Sequence, residues 1–276
     1  AIDITGYNPV APTEKTITIA LEGNVINFYY NARTDLSYTV NYLEKGTNTV
    51  LKDAKVAENR TFGKVIDGND EVIDIDGYTF SGVDPDSITI GVDEEENVIN
   101  VYYTKRTDLT YRVEYYYDGK IDESKTVTHN NITFGTVIDA YDHKYIDGYR
   151  FDSDDGRPLT VGTNAADNVI KVYYVKDSFP YTVNYYKDSV SEKNFIDSVN
   201  GEKKTFETQL TSEMVAEDLG EDWLNLHRPE GFKEATGIEG TYPVISHNAN
   251  ENVINVVYVR FDNLYYTVEY REDSVS

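Results

Sequence analysis

Two acidic turns carry the side chains of this sequence that are best suited to bind a cation. Asp152, Asp154 and Asp155 lie in residues 152–156, where hard carboxylate oxygens recur at the close spacing that calcium ligands use. Residues 74–77 offer a poorer set. Neither run continues to the bidentate glutamate that an EF-hand requires. Solvated turns often have this composition, so calcium at Asp152, Asp154 and Asp155 stays an open alternative, and no cofactor is expected.

The sequence contains no catalytic constellation. Its four histidines fall in unrelated positions, and no partner spacing recurs around them: His129, His143, His227 and His247. There is no Gly-rich phosphate-binding loop and no Gly-x-Ser-x-Gly nucleophile motif. In a chain this acidic, paired carboxylates carry little information. The sequence therefore predicts that the protein is not an enzyme.

An asparagine recurs at four equivalent places, namely Asn24, Asn97, Asn168 and Asn252. A recurring asparagine could join a lysine in an isopeptide cross-link, but no lysine recurs in every copy. We therefore interpret these residues as turn-forming asparagines, which tolerate the left-handed backbone conformation.

These positions belong to a repeated pair of β-strands. In the clearest copy, residues 97–103 read Asn-Val-Ile-Asn-Val-Tyr-Tyr and residues 111–115 read Tyr-Arg-Val-Glu-Tyr. Large apolar and polar residues alternate in the second of these strands, which is the period of a half-buried β-strand. Further copies lie at residues 24–42, 168–185 and 252–270.

The copies divide the chain into tandem modules. The Tyr that opens each Tyr-x-Val-x-Tyr stands at 38, 111, 181 and 266, and each complete copy continues with a Phe and then a glycine–aromatic pair. We predict a partial repeat at 1–36, modules at 37–109, 110–179 and 180–264, and the first strand of another module at 265–276. Because the sequence starts inside a repeat, we expect a fragment of a longer protein.

Each module is predicted to be a small α+β unit that is rich in strands. Its order is two strands, a segment long enough for at most two helical turns, and three strands. Hairpins at both ends leave the first and last strands free to pair at the centre of a mixed sheet. In the partial repeat, strands are predicted at residues 16–19 and 24–30, with a turn at 22–24 between them.

The third module carries an insertion at residues 211–226, for which we predict a helix. Thr211 or Ser212 could cap its start. Four apolar residues share one face at helical spacing: Val215, Leu219, Trp223 and Leu226. This face either packs in the core of its module or forms a ligand-binding surface around Trp223.

Two sets of residues are placed to make contacts outside their own module. Tyr29, Tyr102 and Tyr173 point away from the core-facing side of their strand, where they could stack on sugar rings or cover the sheet. The short linkers all end in a hydrophobic residue: Leu36, Leu109, Phe179 and Leu264. We predict that these four residues wedge between neighbouring modules and hold the array extended.

Charge and composition restrict the partners. With 49 acidic and 25 basic residues the formal net charge is −24, which argues against nucleic acid and favours a soluble monomer. No apolar run approaches the roughly 20 residues of a membrane-spanning helix. There is no cysteine, so the chain forms neither disulfides nor thiolate metal sites.

Three motifs characterise a complete repeat: Tyr-Thr-Val-Asn-Tyr at residues 38–42, the glycine–aromatic pair, and Asn-Val-Ile-Asn-Val-Tyr-Tyr at residues 97–103. Together they resemble the mucin-binding protein (MucBP) repeat of Gram-positive surface adhesins, over residues 38–258. The resemblance implies ubiquitin-like β-grasp modules on an extracellular, cell wall-anchored protein that binds host glycoproteins such as mucin. Two alternatives remain open, a spacer without a ligand and carbohydrate-binding accessory modules of a surface enzyme.

Overall fold

The computed structural model describes residues 1–262 and 265–272, and most of its regular structure is β-strand. By their contacts, the residues form two compact units. The first contains residues 1–112, 127–140 and 156–170, and the second contains residues 113–126, 141–155 and those from 171 onward. None of the helices within residues 1–262 and 265–272 has the length and apolar composition of a membrane-spanning segment.

The first unit begins with a small antiparallel sheet of β1 (Tyr7–Pro9) and β2 (Tyr30–Ala32). The strands predicted at residues 16–19 and 24–30 are not formed, apart from Tyr30 at the start of β2. In complete repeats the last strand pairs with the first strand of the same repeat, and residues 1–32 contain no such first strand. Residues 16–19 and 24–29 therefore lack the neighbouring strand with which a complete repeat pairs them, which explains the difference.

The first complete repeat contains a four-stranded mixed sheet in the order β4-β3-β8-β6. Its strands are β3 (Leu36–Glu44), β4 (Val50–Arg60), β5 (Val65–Asp67), β6 (Tyr78–Asp84), β7 (Ser87–Thr89) and β8 (Val98–Lys105). β3 is antiparallel to β4 and parallel to β8, so the first and last strands lie at the centre, as predicted. β5 and β7 form a separate small sheet, and a 3-10 turn at Gly68–Glu71 follows β5.

Residues of β3 and β8 alternate between the core and the solvent-facing side. Val40 and Tyr42 of β3 are buried beside Ile99, Val101 and Tyr103 of β8. Intervening residues are only partly buried. The period of two read from the sequence is therefore confirmed in both strands.

The middle repeat forms a five-stranded sheet in the order β10-β9-β15-β13, with β11 also paired to β9. Its strands are β9 (Leu109–Tyr117), β10 (Lys120–Ile121), β11 (Val127–Ile132), β12 (Val137–Ile138), β13 (Tyr149–Asp155), β14 (Leu159–Thr160) and β15 (Val169–Lys176). The first and last strands of the repeat, β9 and β15, are again neighbours. β12 and β14 form a separate two-stranded sheet.

The second unit includes the third repeat, with a sheet in the order β18-β17-β20. The strands are β16 (Ser178–Phe179), β17 (Thr182–Lys187), β18 (Phe195–Asn200), β19 (Lys204–Thr205) and β20 (Val253–Tyr258). β17 is antiparallel to β18 and parallel to β20, and β16 pairs with β19. Further along the chain, the described residues 265–272 are exposed and form no strand.

The insertion of the third repeat contains α1 (Ser212–Leu219), the only α-helix in the described part of the chain. Thr211 caps it, as predicted, by accepting a hydrogen bond from the Met214 amide. The helix ends earlier than predicted because Gly220 takes a positive φ of 95°. A 3-10 turn at Trp223–Asn225 follows.

The apolar face of the insertion packs in the core of the third repeat. Val215 and Trp223 are buried in the same cluster as the residues of β17 and β20. Trp223 is only 2% exposed, so its ring is not available to a ligand and that alternative is wrong. Leu226 lies past the end of the helix and is 50% exposed, so its predicted place on the buried face is also wrong.

Candidate functional site

The same contact between a glycine–aromatic pair and a phenylalanine of the following repeat occurs three times, and we call it a glycine–phenylalanine joint. The three joints pair Gly6–Tyr7 with Phe62, Gly77–Tyr78 with Phe134, and Gly148–Tyr149 with Phe206. Each phenylalanine ring lies on the glycine so closely that a Cβ atom there would overlap the ring. Each of these glycines also has a positive φ, between 79° and 80°.

The tyrosine after each glycine meets the same phenylalanine edge to face. Ring centroids are 5.4 Å apart for Tyr7 and Phe62, and 5.6 Å apart in the other two joints. Interplanar angles between 65° and 72° make these T-shaped contacts, a favoured arrangement of aromatic pairs. The absence of a side chain on the glycine therefore lets the phenylalanine ring lie against the backbone, and the tyrosine ring packs against the same phenylalanine.

Backbone hydrogen bonds connect the two sides of every joint through one linker residue. The amide of Arg33, Arg106 or Asp177 donates to the glycine carbonyl at 2.9 Å. The carbonyl of the same linker residue accepts from the phenylalanine amide at 2.8–2.9 Å. Arginine and aspartate both serve at this position because the bonds use only the backbone.

The linker arginines also form local ion pairs. Arg33 donates two hydrogen bonds to Asp35, and Arg106 donates two to Asp108, all at 2.9 Å. Such a bidentate pair favours one conformation of a short linker. These ion pairs are exposed and contribute little to stability, so we assign them to linker geometry.

Three of the four predicted wedge residues lie in the described part of the chain, where each is buried or packs on the core of a repeat. Leu36 is 1% exposed and belongs to the core of its own repeat, which corrects its assignment to the joint. Leu109 is buried at the start of β9. Phe179 packs on the core of the third repeat, with its ring 6.3 Å from Phe206. Leu264 lies outside the described residues.

A sequence signal for the true joint existed. The phenylalanine and the glycine–aromatic pair recur in each complete copy of the repeat. A glycine that recurs beside an aromatic residue predicts a close approach by another group. In a fourth pair, Gly231–Phe232, the glycine has a similar positive φ of 83°, and no described atom lies within 4 Å of a Cβ built there.

The recurring asparagines are buried clamps as well as turn residues. The Asn97 amide donates to the carbonyls of Ser37 and Gly91 and accepts from the Gly91 amide, at 2.9–3.0 Å. Asn168 makes the same set of bonds with Thr110 and Gly162. Each clamp ties the start of the last strand to the first strand and to the preceding loop.

The clamp is repeated at Asn252, whose amide binds the backbone of Pro180 and Ser246 at 2.7–3.2 Å. Its side chain is fully buried. Asn24 is exposed and makes only part of this set, namely two hydrogen bonds to the backbone of Ala20. The partners observed for these amide groups are thus backbone groups, which is the hydrogen bonding of ordinary asparagine.

Tyrosine hydroxyls fasten the irregular segment of each repeat to the sheet. The Tyr103 hydroxyl donates to the Ile73 carbonyl at 2.8 Å and accepts from the Ile73 amide at 3.1 Å. Tyr174 does the same with Lys144. In the third repeat, Tyr258 donates to the Leu224 carbonyl at 3.0 Å. These bonds satisfy backbone groups that a longer helix would otherwise satisfy internally.

A buried carboxylate lies under the first strand in two repeats. Glu71 accepts from the Tyr38 hydroxyl at 2.7 Å and pairs with Lys55. Asp218 accepts from the Tyr181 hydroxyl at 2.8 Å and pairs with Lys204 at 2.7 Å. Burial alone would raise the pKa of both carboxyl groups, but hydrogen bonds from the lysine and the tyrosine outweigh it and hold each pKa below its usual value.

Stability is expected to fall at alkaline pH because burial raises the pKa of core tyrosines. Burial raises the pKa of Tyr115 to about 12, and burial with a hydrogen bond to Asp218 raises the pKa of Tyr181. The unfolded chain loses these protons near pH 10, so this stability is full below about pH 10 and is lost as pH rises through about 12. Thermal melting followed by circular dichroism across pH 7–12 tests this. Full tyrosine ionisation near pH 10 in the folded protein would contradict it.

The predicted ligand tyrosines occupy different environments. Tyr29 is 66% exposed, whereas Tyr102 and Tyr173 are half-buried. Tyr173 packs on Tyr116, with 5.4 Å between ring centroids. The structure therefore does not give the three side chains one shared surface environment.

A groove beside the third joint presents aromatic and charged side chains together. Its volume is about 530 Å³. Its lining includes Tyr117, Asp118, Lys125, Tyr145, Tyr149 and Glu207. Tyr145 is 80% exposed, and the Tyr149 hydroxyl donates to Asp118. An exposed ring beside hydrogen-bonding groups can stack on a sugar and bind its hydroxyls.

The aspartates considered for calcium are spread along β13. Asp152 and Asp155 are exposed, and Asp154 accepts a hydrogen bond from Tyr141 at 3.0 Å. Within residues 1–262 and 265–272, no three His, Cys, Asp or Glu side chains are grouped closely enough to hold a metal ion. The structure thus does not bring Asp152, Asp154 and Asp155 together as a ligand set.

No protein-family model matches this sequence, and no curated protein matches it. Among solved structures, the chain is similar to domains 3–4 of the Streptococcal High Identity Repeats in Tandem (SHIRT) of a cell surface protein. The identity is 12% and the TM-score 0.22, over 51% of this chain and 98% of that chain. The chain is also similar to the pilus adhesin SpaC from Lactobacillus rhamnosus GG in its open conformation. There the identity is 8% and the TM-score 0.17, over 87% of this chain and 45% of that chain.

Proposed function

We propose that this chain is a non-enzymatic tandem-repeat region of a bacterial cell-surface adhesin of the MucBP type. Its repeats act as β-grasp-like modules that project a binding region away from the cell wall. The observation that carries the proposal is the threefold recurrence of the glycine–phenylalanine joint. A repeated joint is what a region needs when each module must be set in a fixed relation to the next.

The chemistry of the joint favours a defined connection over a flexible tether. Each joint combines an aromatic contact, a glycine covered by a ring, and two backbone hydrogen bonds through one linker residue. A flexible linker rich in glycine and serine would contain none of these. The formal charge of −24 supports a soluble, monomeric chain whose modules resist self-association.

Host glycoprotein such as mucin is the proposed ligand, with the groove around Tyr145 as the binding site. The exposed Tyr145 ring supplies a stacking surface, while Lys125 and Asp118 supply hydrogen-bonding groups. The two other candidate functions are a spacer that binds nothing and a carbohydrate-binding accessory region of a surface enzyme. The groove favours ligand binding over the pure spacer.

A glycan array probed with the 276-residue chain distinguishes these functions. We expect binding to mucin-type glycans, lost in Tyr145→Ala and kept in Tyr29→Ala, because Tyr29 is exposed but lies outside the groove. Binding that is kept in Tyr145→Ala and lost in Tyr29→Ala would indicate that the site lies at the tyrosines outside the groove. Hits confined to plant or microbial polysaccharides would favour the accessory role. No binding to any glycan would leave the spacer.

A further inference from the structure

In the first and third complete repeats, the first and last strands are paired neighbours that run in the same direction. In the first complete repeat, β3 and β8 pair in parallel from Thr39 opposite Val98 to Glu44 opposite Tyr103. β17 and β20 form the same parallel pairing in the third repeat. Because each pair joins the strand where the chain enters the repeat to the strand where it leaves, the pairs lie on the path of any tension along the chain.

The parallel arrangement decides how tension acts on the pair. The chain enters the first repeat at Leu36, at the start of β3, and leaves it at Lys105, at the end of β8. In a parallel pair these two points lie at opposite ends, so tension slides one strand along the other. We propose that the repeats bear tensile load, with the parallel pair of first and last strands as the clamp that resists it.

Sliding loads many hydrogen bonds at the same time. The bonds of a parallel pair are evenly spaced and slant across the gap between the strands, so a force along the strands strains all of them together. If both pulling points lay at the same end, the strands would instead peel apart and break one bond after another. The shear geometry of these repeats therefore raises the force needed for unfolding.

The core prevents gradual slippage between registers. Val40 and Tyr42 of β3, and Ile99 and Val101 of β8, are almost fully buried on one side of the sheet. A shift of one residue would turn such a set toward the other face. A partly slipped state therefore loses both hydrogen bonds and apolar burial, and the clamp yields as a whole.

Further hydrogen bonds close both ends of the clamp. At one end, the Thr39 amide donates to the Asn97 carbonyl, and the Asn97 side chain holds the Ser37 carbonyl. At the other end, the Lys45 amide donates to the Tyr103 carbonyl at 2.8 Å. The third repeat has the corresponding bonds from the amides of Thr182 and Asp188. The pair is thus bonded beyond the limits of its strands.

Single-molecule force spectroscopy on the full 276-residue chain tests the clamp. The chain has no cysteine, so introduced cysteines define where the force is applied. Thr34→Cys with Thr107→Cys attaches handles at opposite ends of the β3–β8 pair. Thr47→Cys with Thr107→Cys attaches both at the same end. All three threonines are exposed, and the two variants share one attachment point.

We expect the first variant to unfold at a force severalfold higher than the second at the same loading rate, because forced unfolding follows the unfolding rate along the pulled direction. Equal forces in the two geometries would overturn the proposal. The load-bearing role deepens the proposed surface function, since tension implies attachment at both ends. The proposed ligand binding and the load-bearing role can be disproved separately, because the absence of binding on the glycan array leaves the difference in unfolding force unchanged.

Discussion

Replacing Asn252 with alanine is expected to destabilise the third repeat by about 3 kcal/mol, because three hydrogen bonds to buried backbone groups are lost together. The Ser246 amide and the carbonyls of Ser246 and Pro180 are then left without the partner they have in the folded state. Trp223 is the only tryptophan and is buried in this repeat, so its fluorescence in a urea titration reports the change.

Asn250→Ala provides the matched control for this measurement. Asn250 is exposed and lies in the same loop, two residues before Asn252. Its replacement is expected to change stability by less than about 0.5 kcal/mol. If Asn252→Ala shifts the transition no more than Asn250→Ala does, the clamp contributes nothing and the buried amide is a consequence of the fold.

The asparagine clamp shows where sequence reasoning reached its limit. Recurrence marked Asn97 as important, and its position before a strand suggested a turn. Its partners are Gly91, six residues earlier, and Ser37, sixty residues earlier. The distant partner depends on the parallel pairing of the first and last strands, which brings Asn97 beside residue 37. No local sequence pattern predicts the hydrogen bond between Asn97 and Ser37.

The core-facing pattern was easier to predict because it depends on the strand period alone. Alternation identified Val40 and Val101 as inward-facing, and the hairpins at both ends of a repeat placed the first and last strands at the centre. Residues 16–19 alternate in the same way but form no strand, since a suitable pattern does not form a strand without a neighbour to pair with. Leu36 was predicted to wedge between neighbouring modules, but it is buried in the core of its own repeat.

Replacing Gly77 with alanine is expected to open the second joint. The added Cβ would overlap the ring of Phe134, which must move away from Tyr78, and the positive φ of 79° adds strain. We expect a combined cost of about 2–3 kcal/mol in the local opening free energy, most of it from the displaced ring. Hydrogen exchange measures this at the Phe134 amide, which donates to Arg106, and at the Arg106 amide, which donates to Gly77.

Gly231→Ala separates the cost of backbone strain from the cost of displacing the Phe134 ring. Gly231 has a similar φ of 83°, but the described structure places nothing within 4 Å of the new methyl group. This variant therefore reports the backbone strain alone, about 1 kcal/mol, in the exchange of the Phe261 amide, which donates to the Gly231 carbonyl. The amount by which the cost of Gly77→Ala exceeds that of Gly231→Ala corresponds to roughly tenfold faster exchange at the Phe134 amide, at 1.4 kcal/mol for each factor of ten.

Removing the ring should remove that excess. In a Phe134→Ala background, Gly77→Ala is expected to cost no more than Gly231→Ala, since the methyl group then has room. This double-mutant cycle isolates the contact between the glycine and the ring from the rest of the joint. If Gly77→Ala costs the same with and without the Phe134 ring, the ring does not hold the joint closed. The fixed connection between repeats would then rest on the linker hydrogen bonds alone.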